Sequence, residues 1–349
     1  MNALKTTTSF IFAVGLLTSL GCEQPEDNNS STWYVESSLP LQRQLGVSGI
    51  AYVSSPSKNE LIAVGGYSKV YEFSNSEWNP AVLPVFSNSS LTQAIGVNGQ
   101  GHVLVVGRSP NLFYFKSNDT WKTVAPVPLV KANFVGVWGN TDPVSDEFFV
   151  VGNSDIEGPV VYRVTKEATV WTREDFCQFK NITINGVYGL GSGKFQQLYF
   201  VGDNATIISK ENGVYTKIDP KTLPIAETLS LKAVWISEQE DHPVYVVGRF
   251  GTILKYENHV WTKETLPEHY NDFPTKRLSF YAIDGIRDEI LVVGANGVIF
   301  RKIKNTWYAE AEGMARENLI SITHTIDPYL FYKTSFYVGG DLGTIFRSN

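Results

Sequence analysis

Val244-Tyr-Val-Val-Gly248 is followed by Arg249-Phe-Gly-Thr252-Ile-Leu-Lys-Tyr256, then by Val260-Trp261-Thr-Lys-Glu264. An apolar run closes on glycine, a short turn leads into an alternating run, and a polar run carries one aromatic. One unit later Ile290-Leu-Val-Val-Gly294, Val298-Ile-Phe-Arg-Lys302 and Thr306-Trp307-Tyr-Ala-Glu310 repeat the pattern. Each unit opens on a further short run, Ala233-Val-Trp-Ile or Ala282-Ile-Asp-Gly. The four runs, A to D, read as short strands because Gly or polar clusters divide them at hairpin spacing. Strand B is apolar throughout, C alternates and D is polar around its aromatic, as expected for a sheet buried inside and wet outside. No long segment keeps a 3.6-residue period, so no long helix is expected.

The glycine closing strand B recurs at Gly65, Gly107, Gly152, Gly202, Gly248, Gly294 and Gly339, at steps of 42 to 50 residues. This period with strand-like units marks β-propeller blades. The glycine is read as a tight-turn residue needing positive φ. The D-strand aromatics are Trp78, Trp121, Trp171, Tyr215, Trp261 and Trp307, and the last unit stops at the end of strand C. Thr32-Trp33-Tyr-Val-Glu36 matches Val260-Trp261-Thr-Lys-Glu264, and Trp33 precedes Trp78 by one period. The expectation is therefore an all-β, seven-bladed β-propeller over residues 32–349, closed by the N-terminal strand completing the last blade.

The chain opens with Lys5, an apolar run around Phe10–Leu17, and Gly21-Cys22. This reads as a secretory signal over 1–21. A cysteine directly after small residues resembles the bacterial lipobox. That resemblance implies cleavage before Cys22, lipidation of its thiol, and a destination at the outer membrane or cell surface. Residues 22–31 are polar and read as a flexible tether. With Cys22 lipidated, Cys177 has no disulfide partner.

The blade pattern Val-Trp, Val-Val-Gly, Gly-Thr-Ile-Leu-Lys-Tyr, Trp resembles a family of bacterial secreted or lipoprotein propellers. It is more distantly similar to photosystem II assembly factors and to sialidase-type repeats. The resemblance covers nearly all of 32–349 and implies fold, not activity, because propellers host many roles. The chain departs from the sialidase Asp box: Ser117-Asn-Asp119-Thr-Trp121 lacks its glycine. No arginine triad can be placed, and the WD40 dipeptide pattern is missing.

No metal-ligand spacing, phosphate-cradling loop or nucleophile elbow occurs, so neither a cofactor nor a metal is expected. Asp284 occupies the strand A slot of Trp138, Tyr188 and Trp235 in other units, and His324 falls one place later in the last unit. Both are candidates to line the central channel. The D–A and B–C loops are the expected contact face, with Tyr67, Arg108, Arg249, Phe250 and Arg316 as binding candidates. The A–B loops are acidic, in segments 142–147, 238–241 and 288–289, and read as solvated surface. Acidic residues outnumber basic ones, 35 to 29, for a net charge of −6, which with no basic tract disfavours nucleic acid. The resulting expectation is a monomeric, non-enzymatic, membrane-anchored lipoprotein that binds or scaffolds an envelope protein or glycan. The alternative is a polysaccharide-active hydrolase or lyase using carboxylates at the ring mouth.

Overall fold

The computed structural model describes residues 31–39, 46–55, 58–66, 69–74, 76–84, 91–108, 113–125, 130–271, 278–311, 313–327 and 333–348. Cys22, with the rest of 1–30, and Tyr67 lie outside these residues. Nearly all regular structure between 31 and 348 is antiparallel strand. Residues 47–80, 184–217, 231–263 and 280–310 each form a four-stranded sheet in chain order. Residues 91–173 form one eight-stranded sheet, two four-strand sets joined at Asn133 and Arg108. The strands Leu319–Asp327, Lys333–Gly340 and Thr344–Ser348 form the last sheet, whose outer place is taken by Trp33–Ser38, paired antiparallel to Thr344–Ser348.

The innermost strands pack side by side. Val47–Ser55 lies against Leu91–Val97, which lies against Asn133–Gly139. Ile184–Leu190, Leu231–Ile236, Phe280–Ile286 and Leu319–Asp327 follow in order, and the last packs on Val47–Ser55. Burial falls outward along each set. Val244–Gly248 is buried at every position, whereas only half-buried Trp261 is sheltered in Val260–Lys263. Phe148, Phe149, Val150 and Val151 are wholly enclosed, and each such side chain contributes about 1.5–3 kcal/mol over its exposed state. The apolar strand B is thus the core of each unit because sheets cover both its faces.

The strand B glycines have a different basis from the one expected. Gly152, Gly202, Gly248 and Gly294 are not in the left-handed region. A methyl on Gly152 would stand 2.7 Å from the Asn133 carbonyl oxygen, and one on Gly248 would stand 2.5 Å from that of Ser230. The close approach of strand A's backbone excludes a side chain. In the last sheet this place belongs to Gly340, which pairs with Leu319, rather than to Gly339. Left-handed glycines occur in the turns instead, as at Gly251 (φ 63) and Gly297 (φ 75).

One residue after the glycine-paired position, every strand A carries a β-bulge. Asn185 is the extra residue between Ile184 and Gly186, and Lys232 between Leu231 and Ala233. The same irregularity occurs in the other five A–B pairs. A bulge adds twist and re-aims the extra side chain.

Successive sheets are also clasped by polar side chains. The D-strand aromatic of one sheet donates to a glutamate of the preceding one: Trp121 Nε1 to Glu72 Oε1 (2.8 Å), Tyr215 OH to Glu174 Oε2 (2.6 Å), Trp307 Nε1 to Glu264 Oε2 (2.8 Å). A lysine cross-strand from each aromatic reaches the same carboxylate, Lys116 at 2.7 Å, Lys210 at 2.8 Å and Lys302 at 2.5 Å. Lys116 also meets Glu60 at 2.6 Å and is almost entirely enclosed. Burying an ammonium is tolerable only because carboxylates surround it.

Candidate functional site

Two places gather polar side chains where the inner strands meet. The first lies at the end carrying the B–C and D–A loops. Arg108 ends the strand Val103–Arg108, is exposed, and pairs through its backbone with Leu91 and Asn133. Beside it is a hollow of about 470 Å³ lined by Arg108, Lys131, Asn133, Val135, Asn153, Asp155, Thr183 and Asn185. Val135 and Asn185 are bulge residues, so the local break in the ladder aims them here. Asn153 is fixed by both ends of its amide, donating to the Ile184 carbonyl at 2.7 Å and accepting from its N–H at 2.9 Å. Asn185 donates to the Leu231 carbonyl at 2.8 Å and to Asp203 Oδ1 at 2.9 Å. Neither Arg108 nor Lys131 meets a carboxylate among the described residues, and the buried Oδ1 of Asn133 has no donor among them. The hollow therefore offers two uncommitted cations and an unfilled acceptor on a rigid floor.

Of the other expected contact residues, Arg249, Phe250 and Arg316 are described, and none of them lines that hollow. Arg249 bridges to Ser279 through its backbone. Phe250 is 44% exposed and held at φ 58, in the turn completed by Gly251. Burial alone would raise the Asp203 carboxyl. Hydrogen bonds from Ser230 and Asn185 and the charges of Lys232 and Arg249 outweigh it and hold the carboxyl below the usual range. Arg316 is exposed on the segment leading into the last sheet. Lys131, Asn133, Asn153 and Asn185 were not expected from sequence. Asn153 and Asn185 share a signal of position, just past the strand B glycine or at a bulge, and a bulge leaves no composition mark.

The second place is deeper, toward the A–B turns. His324 Nδ1 is 2.8 Å from Asp284 Oδ2. A carboxylate can only accept, so Nδ1 carries the proton and Nε2 is left for other work. The pairing follows from a rule shared by the strands. Trp138 reaches across to Gly189 of the following sheet, and Trp235 to Gly285. Each donor lies four places after the glycine-paired residue of its strand A, and each receiver lies five places after. Asp284 and His324 hold those same two places in the last step. In those two steps an indole lies over a glycine; here a carboxylate meets an imidazole.

Burial pulls the His324 imidazole down, but the Asp284 charge, its hydrogen bond, and the fields of Glu238 and Glu289 outweigh it. The net shift is upward. Tyr188 is pushed far up by burial, then by Asp284 and Glu238, against a hydrogen bond with Trp235. Glu289 is raised by burial, which exceeds the opposing effect of Arg301 at 2.6 Å. The arrangement can hold or pass a proton at His324 beside several carboxylates. Among the described residues no group of three His, Cys, Asp or Glu side chains could hold a metal ion.

No family model matches the chain, and no curated protein matches it. Solved structures do. "YCF48 bound to D1 peptide" is similar at TM-score 0.66 and 12% identity, over 92% of this chain and 96% of that one. A virginiamycin B lyase from Staphylococcus aureus is similar at TM-score 0.66 and 13% identity, over 91% and 99%. The WD40 β-propeller domain of Doa1 is similar at TM-score 0.63 and 9% identity, over 91% and 97%. Identities this low carry the fold alone, and that fold is a β-propeller.

Proposed function

We propose that the protein is a non-enzymatic binding or scaffolding propeller that recognises an envelope protein or glycan through the face bearing the B–C and D–A loops. In this reading residues 32–349 are a seven-bladed ring closed by Trp33–Ser38. Residues 1–21 are a signal, 22–31 a tether, and Cys22 the lipidated anchor to the outer membrane or cell surface. The observation that carries it is the Arg108 hollow, where two cations and the Asn133 acceptor have no charged or donor partner among the described residues. A rigid floor of this kind lowers the ordering cost of binding. A peptide-bound neighbour with the same fold adds weight to a protein partner. Arg249, Phe250 and Arg316 are assigned to the rim of this face, where arginine and aromatic side chains contribute most to affinity, and Tyr67, outside the described residues, is kept as a contact candidate on its sequence position.

The test is cross-linking pull-down from envelope extracts with wild type and Arg108→Glu/Lys131→Glu. Partners captured by wild type and lost from the double variant support the reading; the same partners on both overturn it. Fractionation of Cys22→Ser cells tests the anchor, which is rejected if the protein stays membrane-bound with unchanged mass.

A second reading, a hydrolase or lyase acting on polysaccharide, draws on the Asp284–His324 pair on the innermost strands and on a lyase among the structural neighbours. Glycan turnover that disappears in His324→Ala supports it, and no turnover across a glycan panel removes it.

A further inference from the structure

The A–B turns at 98–102, 140–147, 191–196, 237–243 and 287–288 hold seven carboxylates and two cations. Charge alone is ordinary solvated surface. Two apolar side chains in these turns are not ordinary: Phe195 is 89% exposed and Val144 is 83% exposed. A single exposed Val or Leu means little, but a phenylalanine held almost wholly in water calls for a cause.

Local packing is not that cause, because the turns are braced by other groups. Gly99 N–H donates to the Asn140 carbonyl at 2.7 Å, and Gln100 Nε2 to the Val144 carbonyl at 3.4 Å. Ser192 Oγ donates to Asp142 Oδ2 at 2.6 Å, and Gln196 Nε2 to Glu147 Oε2 at 2.6 Å. Three successive turns are thus tied into one strip. Phe195 borders a hollow of about 540 Å³, together with Leu190, Gln197, Glu211, Asn212 and His242. Glu238, Glu240 and Asp241 are exposed in the turn that also carries His242.

We propose that this strip is a second docking surface, and that its occupant is a polypeptide segment with one large apolar side chain flanked by lysines or arginines. The apolar side chain enters the hollow against Phe195 and Leu190. The flanking cations face Glu211, Glu238, Glu240 and Asp241. Apolar anchoring supplies affinity and charge complementarity supplies rate and selectivity. The same charge repels nucleic acid and anionic lipid. The surface lies at the opposite ends of the strands from Arg108, so it stands or falls independently of the function proposed above.

Short fluorescent peptides test it by anisotropy: leucine flanked by lysines, the same leucine flanked by glutamates, and lysines around glycine. The lysine–leucine peptide binds wild type, and salt weakens it. Phe195→Ser and, separately, Glu238→Lys/Asp241→Lys each weaken it by roughly tenfold. Arg108→Glu leaves it unchanged. Phe195 is exposed, so Phe195→Ser retains the wild-type circular dichroism spectrum, and Val144→Ser serves as a second probe of the strip. Absence of binding overturns the proposal, as does equal binding of the glycine or glutamate peptide. Indifference to Phe195→Ser, or sensitivity to Arg108→Glu, overturns it as well.

Discussion

Trp33 Nε1 donates to Glu310 Oε2 across 2.6 Å, joining residues 277 positions apart. Ser31 Oγ donates to the same oxygen at 2.7 Å. The geometry repeats the Trp307–Glu264 and Trp121–Glu72 clasps within the body of the chain. The N-terminal strand therefore engages the preceding sheet as an ordinary outer strand does.

Trp33→Phe keeps an aromatic ring and removes the donor. It is expected to cost about 1–3 kcal/mol, the range for stripping a partner from a sheltered charged acceptor. Deleting residues 32–36 costs more and exposes the Thr344–Ser348 edge, which promotes aggregation. Thermal melting and light scattering measure both effects; an unchanged truncated protein would contradict the role given to this strand.

Lys116→Met leaves Glu60 and Glu72 facing one another without the ammonium between them. The expected loss is about 3–5 kcal/mol, the penalty for breaking a buried ion pair from one side. Adding Glu60→Gln and Glu72→Gln recovers much of it, because the uncompensated charges are gone. Urea denaturation of the three proteins reads the difference.

His324 sets a pH dependence. Its folded value is raised above 6.5, so the protonated form binds Asp284 more tightly in the folded state. Its stabilising contribution is full below about pH 6.5 and is lost as pH rises through the raised folded value. His324→Gln abolishes that slope. Asp284→Asn removes the principal raising influence, so the imidazole value falls relative to wild type. Proton NMR titration of the ring checks the sign, and a lower value in wild type than in Asp284→Asn overturns the account.

Gly248→Ala and Gly213→Ala separate two reasons for glycine. The first puts a methyl 2.5 Å from a backbone oxygen and is expected to cost about 1–3 kcal/mol from overpacking. The second, at φ 80 in open space, costs about 1–2 kcal/mol from the left-handed conformation alone. Expression and melting midpoints rank them, with Gly248→Ala the more damaging.

At the Arg108 face, alanine at Arg249 and Phe250 should weaken a captured partner by at least about 1 kcal/mol. Charge reversal at Glu238 should leave that partner's affinity unchanged. Titration by calorimetry decides, and the reverse ranking relocates the site.

The strands were legible because burial on both faces forces an unbroken apolar run, as in Val244–Gly248, and hairpins force turn residues beside it. The outer position of Trp33 was legible because its flanks copy those of Trp261. The reason for the strand B glycines was not, since local sequence does not reveal a carbonyl arriving from strand A. Asp284 and His324 could be picked out singly, as ionisable side chains within innermost strands. Their contact depends on which faces alternate strands present to one another, and the skipped residue at each bulge shifts that alternation. Lys131 lies in a connection and Asn133 opens the strand after it, and the path there is set by neighbouring sheets, so nothing local distinguished them.

The pairing of Trp33–Ser38 with Thr344–Ser348 also orders events in time. The first strand leaves the ribosome with its partner still some 300 residues from being made. It must wait, unpaired and carrying an exposed tryptophan, while the intervening hairpins form from near neighbours. Only the arrival of the final strand completes the ladder, and a chain stopped short of Thr344 never acquires it. A product truncated before Thr344 is therefore expected to keep its first strand unpaired, and with it an end prone to proteolysis and aggregation.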